Sequence, residues 1–380
     1  MENNFSPLEK TIAKILRKYP FLKEFVKEVY SRLMYFLHKK SMKLISDYDV
    51  YSIEKEGFES FFGYYDKSPD NGSGLVLVHL SENDTSKKPK NYKYIELDVY
   101  SLSEGKFLLD KPIVTRAYNW QQGSRLHWLD KDCFIYNDYI NDKYCAVVYS
   151  LSSQERLYVL DHPVQDSYKD KYLLSINYEV LSDMRPDYGY FSHTRSNNEE
   201  KGIIRYDFKD DVYVKIVDLE DVLSFEFCDD VNFKHKLNHI MISPDGDKFI
   251  FMHRYYNQAG QRFDRLLLSN KDGQILKLLS LGSMVSHCHW VDNDTIIGYL
   301  TGLDNKDCYW IIDTNSGEYL PHLALNKVTS TDGHPSVSSN GDIVTDTYPN
   351  KARLQSLYYL ENGRDQVSLL AQFFHGFEFT

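Results

Sequence analysis

The chain has 380 residues, of which 42% are hydrophobic and 26% charged, and it carries a formal charge of −11. That balance excludes a mainly disordered chain, and no run of about 18 apolar residues could span a bilayer. The charge is uneven: residues 1–44 hold ten Lys/Arg against four acids, net +6, which leaves −17 for the rest. An acidic body lacks the basic footprint of a nucleic-acid binder, so no nucleic-acid partner is expected.

The basic N-terminal segment reads as two helices. Ser6 caps the first, with Pro7 at its first position and Glu9 two residues on. Ile12, Ile15, Leu16 and Tyr19 form its apolar face, and Pro20 breaks it. The second runs from Phe21 to Lys40, with Phe21, Leu22, Phe25, Val26, Val29, Tyr30, Leu33, Met34 and Leu37 on one face. A Lys/Arg-rich amphipathic arm at 6–44 suits an anionic membrane surface, or equally a brace on its own domain or a dimer contact. The expected organisation is an arm over 1–47 and one domain over 48–380.

From Tyr48 onward short strand-like runs recur, among them Leu75–His79, Tyr94–Val99, Cys133–Tyr136, Lys248–Met252, Ile296–Tyr299 and Ile343–Thr345. Turn residues such as Asp245-Gly246, Asp272-Gly273 and Asn340-Gly341 separate them. Many short strands with regular turns predict an all-β fold. An internal repeat makes it a propeller: His127-Trp128-Leu129-Asp130 aligns with His289-Trp290-Val291-Asp292, and Ser68-Pro69-Asp70 with Ser243-Pro244-Asp245. Units start near 64, 125, 181, 239, 287 and 334. With Tyr51–Phe62 and Phe373–Phe379 closing the ring, the expectation is seven blades.

The repeat register points to a site. Four residues before each Ser-Pro-Asp turn, or its equivalent, stand Tyr64, Arg125, His239, His287 and His334. This position opens the innermost strand beside the central channel, where a purely structural strand would take Val or Ile. Tyr64, Tyr65 and Asp66 are therefore expected at a saccharide, since Tyr faces stack on sugar C–H surfaces. His79, His193, His253 and Asp346 end strands and are weaker candidates. Trp128 and Trp290 follow a His in matching repeats and are expected to pack between blades. Five scattered cysteines without a CxxC pair read as reduced thiols, and no secretory leader is visible, so a cytoplasmic setting is expected. A P-loop, GxGxxG, HExxH or GxSxG signature is absent from the sequence.

The run Asn238-His239-Ile240-Met241-Ile242-Ser243-Pro244-Asp245-Gly246, then Met252-His253-Arg254, resembles the fourth blade of oligogalacturonate lyase. Ser286-His287-Cys288-His289-Trp290 and Asp332-Gly333-His334-Pro335-Ser336 resemble that family's metal-binding segments. The resemblance covers about residues 235–350; Ser-Pro-Asp-Gly alone is common to TolB-type propellers. It implies manganese or another divalent ion on His287 and His334, with His239 a catalytic histidine and Arg125, Arg195 or Arg254 the catalytic arginine. Thr331 and Ser336 stand where the family has Gln and a third His, and His289 or Asp332 is the expected replacement ligand. The implied chemistry is β-elimination on an acidic saccharide, or epimerisation, which shares its first proton abstraction. Phe61-Phe62-Gly63-Tyr64-Tyr65-Asp66-Lys67-Ser68-Pro69 is instead similar to propellers associated with bacterial surface-polysaccharide synthesis. That likeness keeps open a non-catalytic assembly module or a glycosyltransferase role, at the inner face of the cytoplasmic membrane.

Overall fold

A computed structural model describes residues 20–41, 43–87, 93–190, 201–226, 235–256, 262–282, 284–302 and 306–377. The second predicted helix is α1, Pro20–His38. The first, capped at Ser6, lies outside the described residues, as do His193 and Arg195. Among the described residues no helix is long and apolar enough to cross a membrane.

Six antiparallel sheets follow in chain order, one per blade. The first comprises β2 Glu59–Phe61, β3 Leu75–Ser81, β4 Ile95–Ser101, and an outer position split into β5 Lys106–Phe107 and β6 Ile113–Thr115. The second is β7 His127–Trp128 to β10 Glu155–Leu160, with β8 Cys133–Ile140 and β9 Lys143–Ser150 between. The third runs β11 Asp166–Tyr168, β12 Tyr172–Ser175, β13 Gly202–Asp207 and β14 Val212–Asp218. The fourth is β15 His235–Ile242, β16 Lys248–Tyr256, β17 Arg262–Asn270 and β18 Ile275–Gly282. The fifth is β19 Val285–Trp290, β20 Thr295–Thr301, β21 Asp307–Asp313 and β22 Tyr319–Pro321. The sixth is β23 Ser336–Val337, β24 Ile343–Asp346, β25 Leu354–Leu360 and β26 Val367–Phe374. To it β1, Leu44–Ser46, adds an outermost strand by pairing with β26.

The propeller class agrees with the sequence, but the expected seven blades are six. The segments assigned to a seventh blade pair with sheets already present. Glu59–Phe61 is the inner strand of blade one, and Phe373 lies in β26 opposite Leu44. The third unit also starts elsewhere than the expected position near 181. Arg185-Pro186-Asp187 is not a blade turn but follows α2, Tyr178–Met184, an insertion between β12 and β13; the inner strand of that blade is Asp166–Tyr168.

The blades cohere through apolar layers between adjacent sheets. Leu174 and Ile203 of blade three meet Phe249, Phe251 and Leu267 of blade four, all fully or almost fully buried. The repeat tryptophans tie neighbours together, as expected. Trp128 Nε1 donates to the Pro69 carbonyl at 2.8 Å and Trp290 Nε1 to the Met241 carbonyl at 3.0 Å. Each indole thus contributes apolar area and one hydrogen bond across a blade boundary.

Candidate functional site

The innermost strand of blade one leaves its sheet. Phe61 faces His79 and Asp70 bridges to Val76, so eight residues bridge a gap that two span on β3. Within this excursion, residues 62–68 form a plug in the central channel. Gly63 opens it at φ +137°, and a Cβ there would lie 3.0 Å from the Gln122 carbonyl oxygen. The plug reaches every other blade. Arg125 of blade two holds the Asp66 carboxylate bidentately at 3.0 and 2.7 Å. Lys67 pairs with Asp166 of blade three. Tyr64 stacks on His239 of blade four. Tyr65 Oη donates to the Cys288 carbonyl of blade five at 2.8 Å, and Ser336 Oγ of blade six donates to the Tyr65 carbonyl at 2.9 Å.

Three histidines surround Tyr64, two from irregular inner strands and His334 from the segment just before β23. His239 has φ +51° within a register shift between Asn238 and Met241; Arg125, its repeat equivalent, has φ +54°. His287 lies in the shift between Val285 and Cys288 of β19. Such bulges re-aim side chains that regular pleating would send elsewhere. The Tyr64 ring stands 5.5 Å from His239 at 10°, and 6.0 Å edge-on from both His287 and His334. The His287 and His334 rings are 4.0 Å apart.

Each of that pair is oriented by its own aspartate. His287 Nδ1 lies 3.2 Å from Asp332 Oδ1, and Ser286 Oγ donates to Asp332 Oδ2. His334 Nδ1 lies 2.9 Å from Asp346 Oδ1, which also accepts the His334 backbone N–H at 2.8 Å. Gln355 Nε2 donates to Asp346 Oδ2 at 2.9 Å. A carboxylate at Nδ1 fixes that nitrogen as a donor and sets the ring orientation. For His334, burial opposes the charged form, but the hydrogen bond and charge of Asp346 outweigh it and raise its pKa above 6.5. His239 is driven well below 6.5, first by burial and then by His287 and Arg254, so its ring is neutral.

The structure brings Tyr64, Tyr65, His239, His287, His334, Asp332 and Asp346 together, and leaves other candidates aside. Arg125 is buried and engaged by Asp66 and the Gln165 carbonyl. Burial penalises Asp66, yet Arg125 keeps its pKa below the ordinary carboxylate value. Arg254 is held by Asp264 and donates to the Val285 carbonyl at 3.3 Å. His289 turns Nδ1 to the Trp290 carbonyl at 2.8 Å and feels Asp66, Lys67 and Asp166 rather than the histidine pair. His79 is buried beside Ser124 and stacked on Phe61, with burial pushing its pKa to about 3. His253 is buried against His235.

The replacement ligand set does not assemble. His287 and His334 offer imidazole donors suited to manganese, but Asp332 holds His287 and His289 faces elsewhere. Among the described residues no group of three or more His, Cys, Asp and Glu is placed to hold a metal ion.

Sequence reasoning missed Arg185. Arg185 holds Asp187 through Nε at 2.8 Å and lies over the Tyr188 ring at 4.7 Å, and Tyr188 Oη is 3.4 Å from Tyr64 Oη. The only signal was a basic residue beside a poorly fitting repeat unit. Lys236 and Asn238, polar residues alternating on an innermost strand just before His239, were also passed over. A separate groove of about 330 Å³ between blades two and three, lined by Lys143, Tyr144, His162 and Glu179 among others, contains none of the candidates.

No known family matches the sequence, and no curated protein matches it. Among solved structures the chain is similar to TolB from Acinetobacter baumannii, with 16% identity and a TM-score of 0.43 over 80% of this chain. That alignment spans 64% of TolB, a little under two thirds of its length. The propeller domain of the Trilobed protease from Pyrococcus furiosus is 12% identical, with a TM-score of 0.44 over 78% of this chain and 79% of that one. A functionally unknown protein from Desulfotomaculum acetoxidans DSM 771 is 10% identical, with a TM-score of 0.44 over 76% and 79%. The six-bladed fold rests on this chain's own sheets.

Proposed function

We propose that the channel mouth takes an acidic saccharide and that His239 removes a proton alpha to its carboxylate. The observation that carries this reading is the convergence of three imidazoles from three blades on Tyr64, one of them neutral and two oriented by aspartates. A neutral imidazole accepts a proton. Arg185 pairs with Asp187, and Arg254 and Arg262 both reach Asp264, so guanidinium groups stand beside the site, and a carboxylate bearing the reacting carbon suits them. In β-elimination the abstracted proton passes to His239. The electron pair forms the double bond to the neighbouring carbon, and the glycosidic oxygen leaves with the pair of its broken bond, taking a proton from His334 or solvent. Epimerisation returns a proton to the opposite face instead. The resemblance to oligogalacturonate lyase supports the same chemistry; no step is routed through a metal, because the residues expected to bind one do not assemble.

The test is incubation with uronate oligomers in deuterated water, with and without manganese. Ultraviolet absorbance reads an unsaturated uronate, and deuterium at the alpha carbon reads abstraction without elimination. Either signal, lost in His239→Ala, supports the proposal. Neither signal on any uronate favours the non-catalytic assembly module.

An anionic membrane surface is the proposed partner of α1. Val29, Leu33, Phe36 and Leu37 remain exposed at helical spacing, with Arg32, Lys39, Lys40 and Lys43 nearby.

A further inference from the structure

Lys236 and Asn238 stand two residues apart on β15 and share one face of it. Each is only 2% exposed, yet Lys236 Nζ and both Asn238 amide atoms have no hydrogen-bond partner among the described residues. Across the ladder they face Arg254 and Met252. The carboxylates within electrostatic reach are already engaged: Asp264 by Arg254 and Arg262, Asp187 by Arg185. Buried polar groups are nearly always satisfied, and leaving one unmade costs about 1–3 kcal/mol, more for a charge. Three such atoms on adjacent positions of one strand face, beside Arg254, mark a place where a partner is missing. Arg185 and Asp187, whose side chains are 26% and 42% exposed, act on Lys236, so the amine lies close beneath the surface.

We propose that Lys236 and Asn238 form the oxyanion subsite of the channel mouth, binding a carboxylate or phosphate group of the ligand. The anion accepts from Lys236 Nζ and Asn238 Nδ2, and Lys236 takes up one proton from solvent as it arrives. This rests on the reading that the mouth takes an acidic saccharide, and it names the group that holds the acid. The charges acting on Lys236 are Arg254 on β16, Asp264 on β17, Arg185 and Asp187 after α2, and the neutral His239 on its own strand. Burial, then Arg254 and Arg185, push the free amine down to about 6, so the empty subsite holds a neutral lysine at neutral pH. An incoming anion reverses that balance, because it pairs with the ammonium and offsets the repulsion of Arg254 and Arg185. Binding and protonation are therefore linked.

The experiment is titration calorimetry of the full chain with galacturonate, its methyl ester and inorganic phosphate, at about pH 7.5 in two buffers of different ionisation enthalpy. The expected result is binding of an anion but not the ester, with uptake of about one proton per anion. Lys236→Met, an uncharged side chain of similar length, should lose about tenfold or more in affinity, as for one charge-assisted hydrogen bond, and lose the proton uptake. Asn238→Asp, which places a negative charge at the same point, should weaken binding without changing the fold. Galacturonate binding alone identifies the carboxylate as the source, and phosphate binding alone identifies a phosphate. If wild type binds galacturonate with no proton uptake, or Lys236→Met binds it within about twofold, the subsite is wrong while the acidic-saccharide reading stands. If neither anion binds wild type, that reading falls and takes the subsite with it.

Discussion

Arg125 and Asp66 form a bidentate ion pair, at 3.0 and 2.7 Å, that fastens the channel plug to the second blade from a fully enclosed position. Both residues were read from the sequence as site residues. Their geometry makes them positioning residues: they fix the loop that carries Tyr64 against the three histidines. Removing one partner leaves a buried charge uncompensated, so Arg125→Met should cost about 3–5 kcal/mol of stability. Restoring neutrality with Asp66→Asn in the same chain should recover part of it. Urea midpoints of the four species in that cycle check this. A loss under about 1 kcal/mol in Arg125→Met would mean that the plug is held by its other contacts. The Asp66 value is depressed below 3.8, so the pair's contribution is present above that value and fades as pH falls through the folded one.

A second pH window belongs to His334 and Asp346, 2.9 Å apart. The His334 value is raised above 6.5, so its stabilisation is complete below 6.5 and is lost as pH rises through the folded value. Asp346 is depressed below 3.8, so its contribution is present above 3.8 and lost in acid. The pair should stabilise most between those limits. Thermal midpoints of wild type and His334→Gln should therefore differ most near about pH 5 and converge in mild alkali. Parallel profiles across that range would show that the pair carries no net charge coupling.

Lys236 gives the opposite sign. Its folded value of about 6 lies far below 10.5, so the unfolded chain binds the extra proton between those values and stability rises with pH across that interval. Lys236→Met removes the desolvated amine. The variant should be more stable than wild type in the unliganded state, with the greatest advantage below about pH 6 and a shrinking one toward pH 10. Denaturant titrations at several pH values measure it. A variant less stable than wild type at every pH would show that the lysine has a partner in the folded chain.

The blade repeat was legible because strand alternation and Ser-Pro-Asp turns are local signals. The blade count was not, because whether Glu59–Phe61 starts a new sheet or joins β3 is decided by long-range pairing. The third blade was misread because its inner strand has three residues and α2 interrupts it before β13. At the site, the repeat register found Tyr64, His239, His287 and His334. Two-residue periodicity would put His287 and His289 on one face, but the register shift before Cys288 breaks that alternation. The plug was visible as an aromatic motif, yet nothing local says that residues 62–68 leave the sheet and plug the channel. Lys236 was invisible for a related reason: a lysine in a strand reads as a solvated face, and only the packed blades show it buried.

The N-terminal helix offers the last expectation. Tyr35 packs on Phe374 and Phe377, with ring centroids 5.5 and 5.4 Å apart, and Arg32 lies over Phe377 at 5.1 Å. One side of α1 is thus docked on the C-terminal end of the chain, consistent with a brace. A brace does not account for Val29, Leu33, Phe36 and Leu37, which are 50–69% exposed and spaced at i, i+4, i+7 and i+8. Leaving four large apolar side chains in water forgoes on the order of 1.5–3 kcal/mol each relative to burial. Basic residues near an anionic surface add about 1 kcal/mol each, and the acidic body would be repelled by the same lipids. The full chain should therefore sediment with anionic vesicles at low salt and be released at about 0.5 M salt, where the Debye length falls below the helix diameter. Phe36→Glu with Leu37→Glu, both at exposed positions, should leave the fold unchanged and abolish sedimentation. If that double variant sediments as wild type does, the helix is not the anchor. If wild type also stays in the supernatant, the exposed stripe has a protein partner instead of a lipid one.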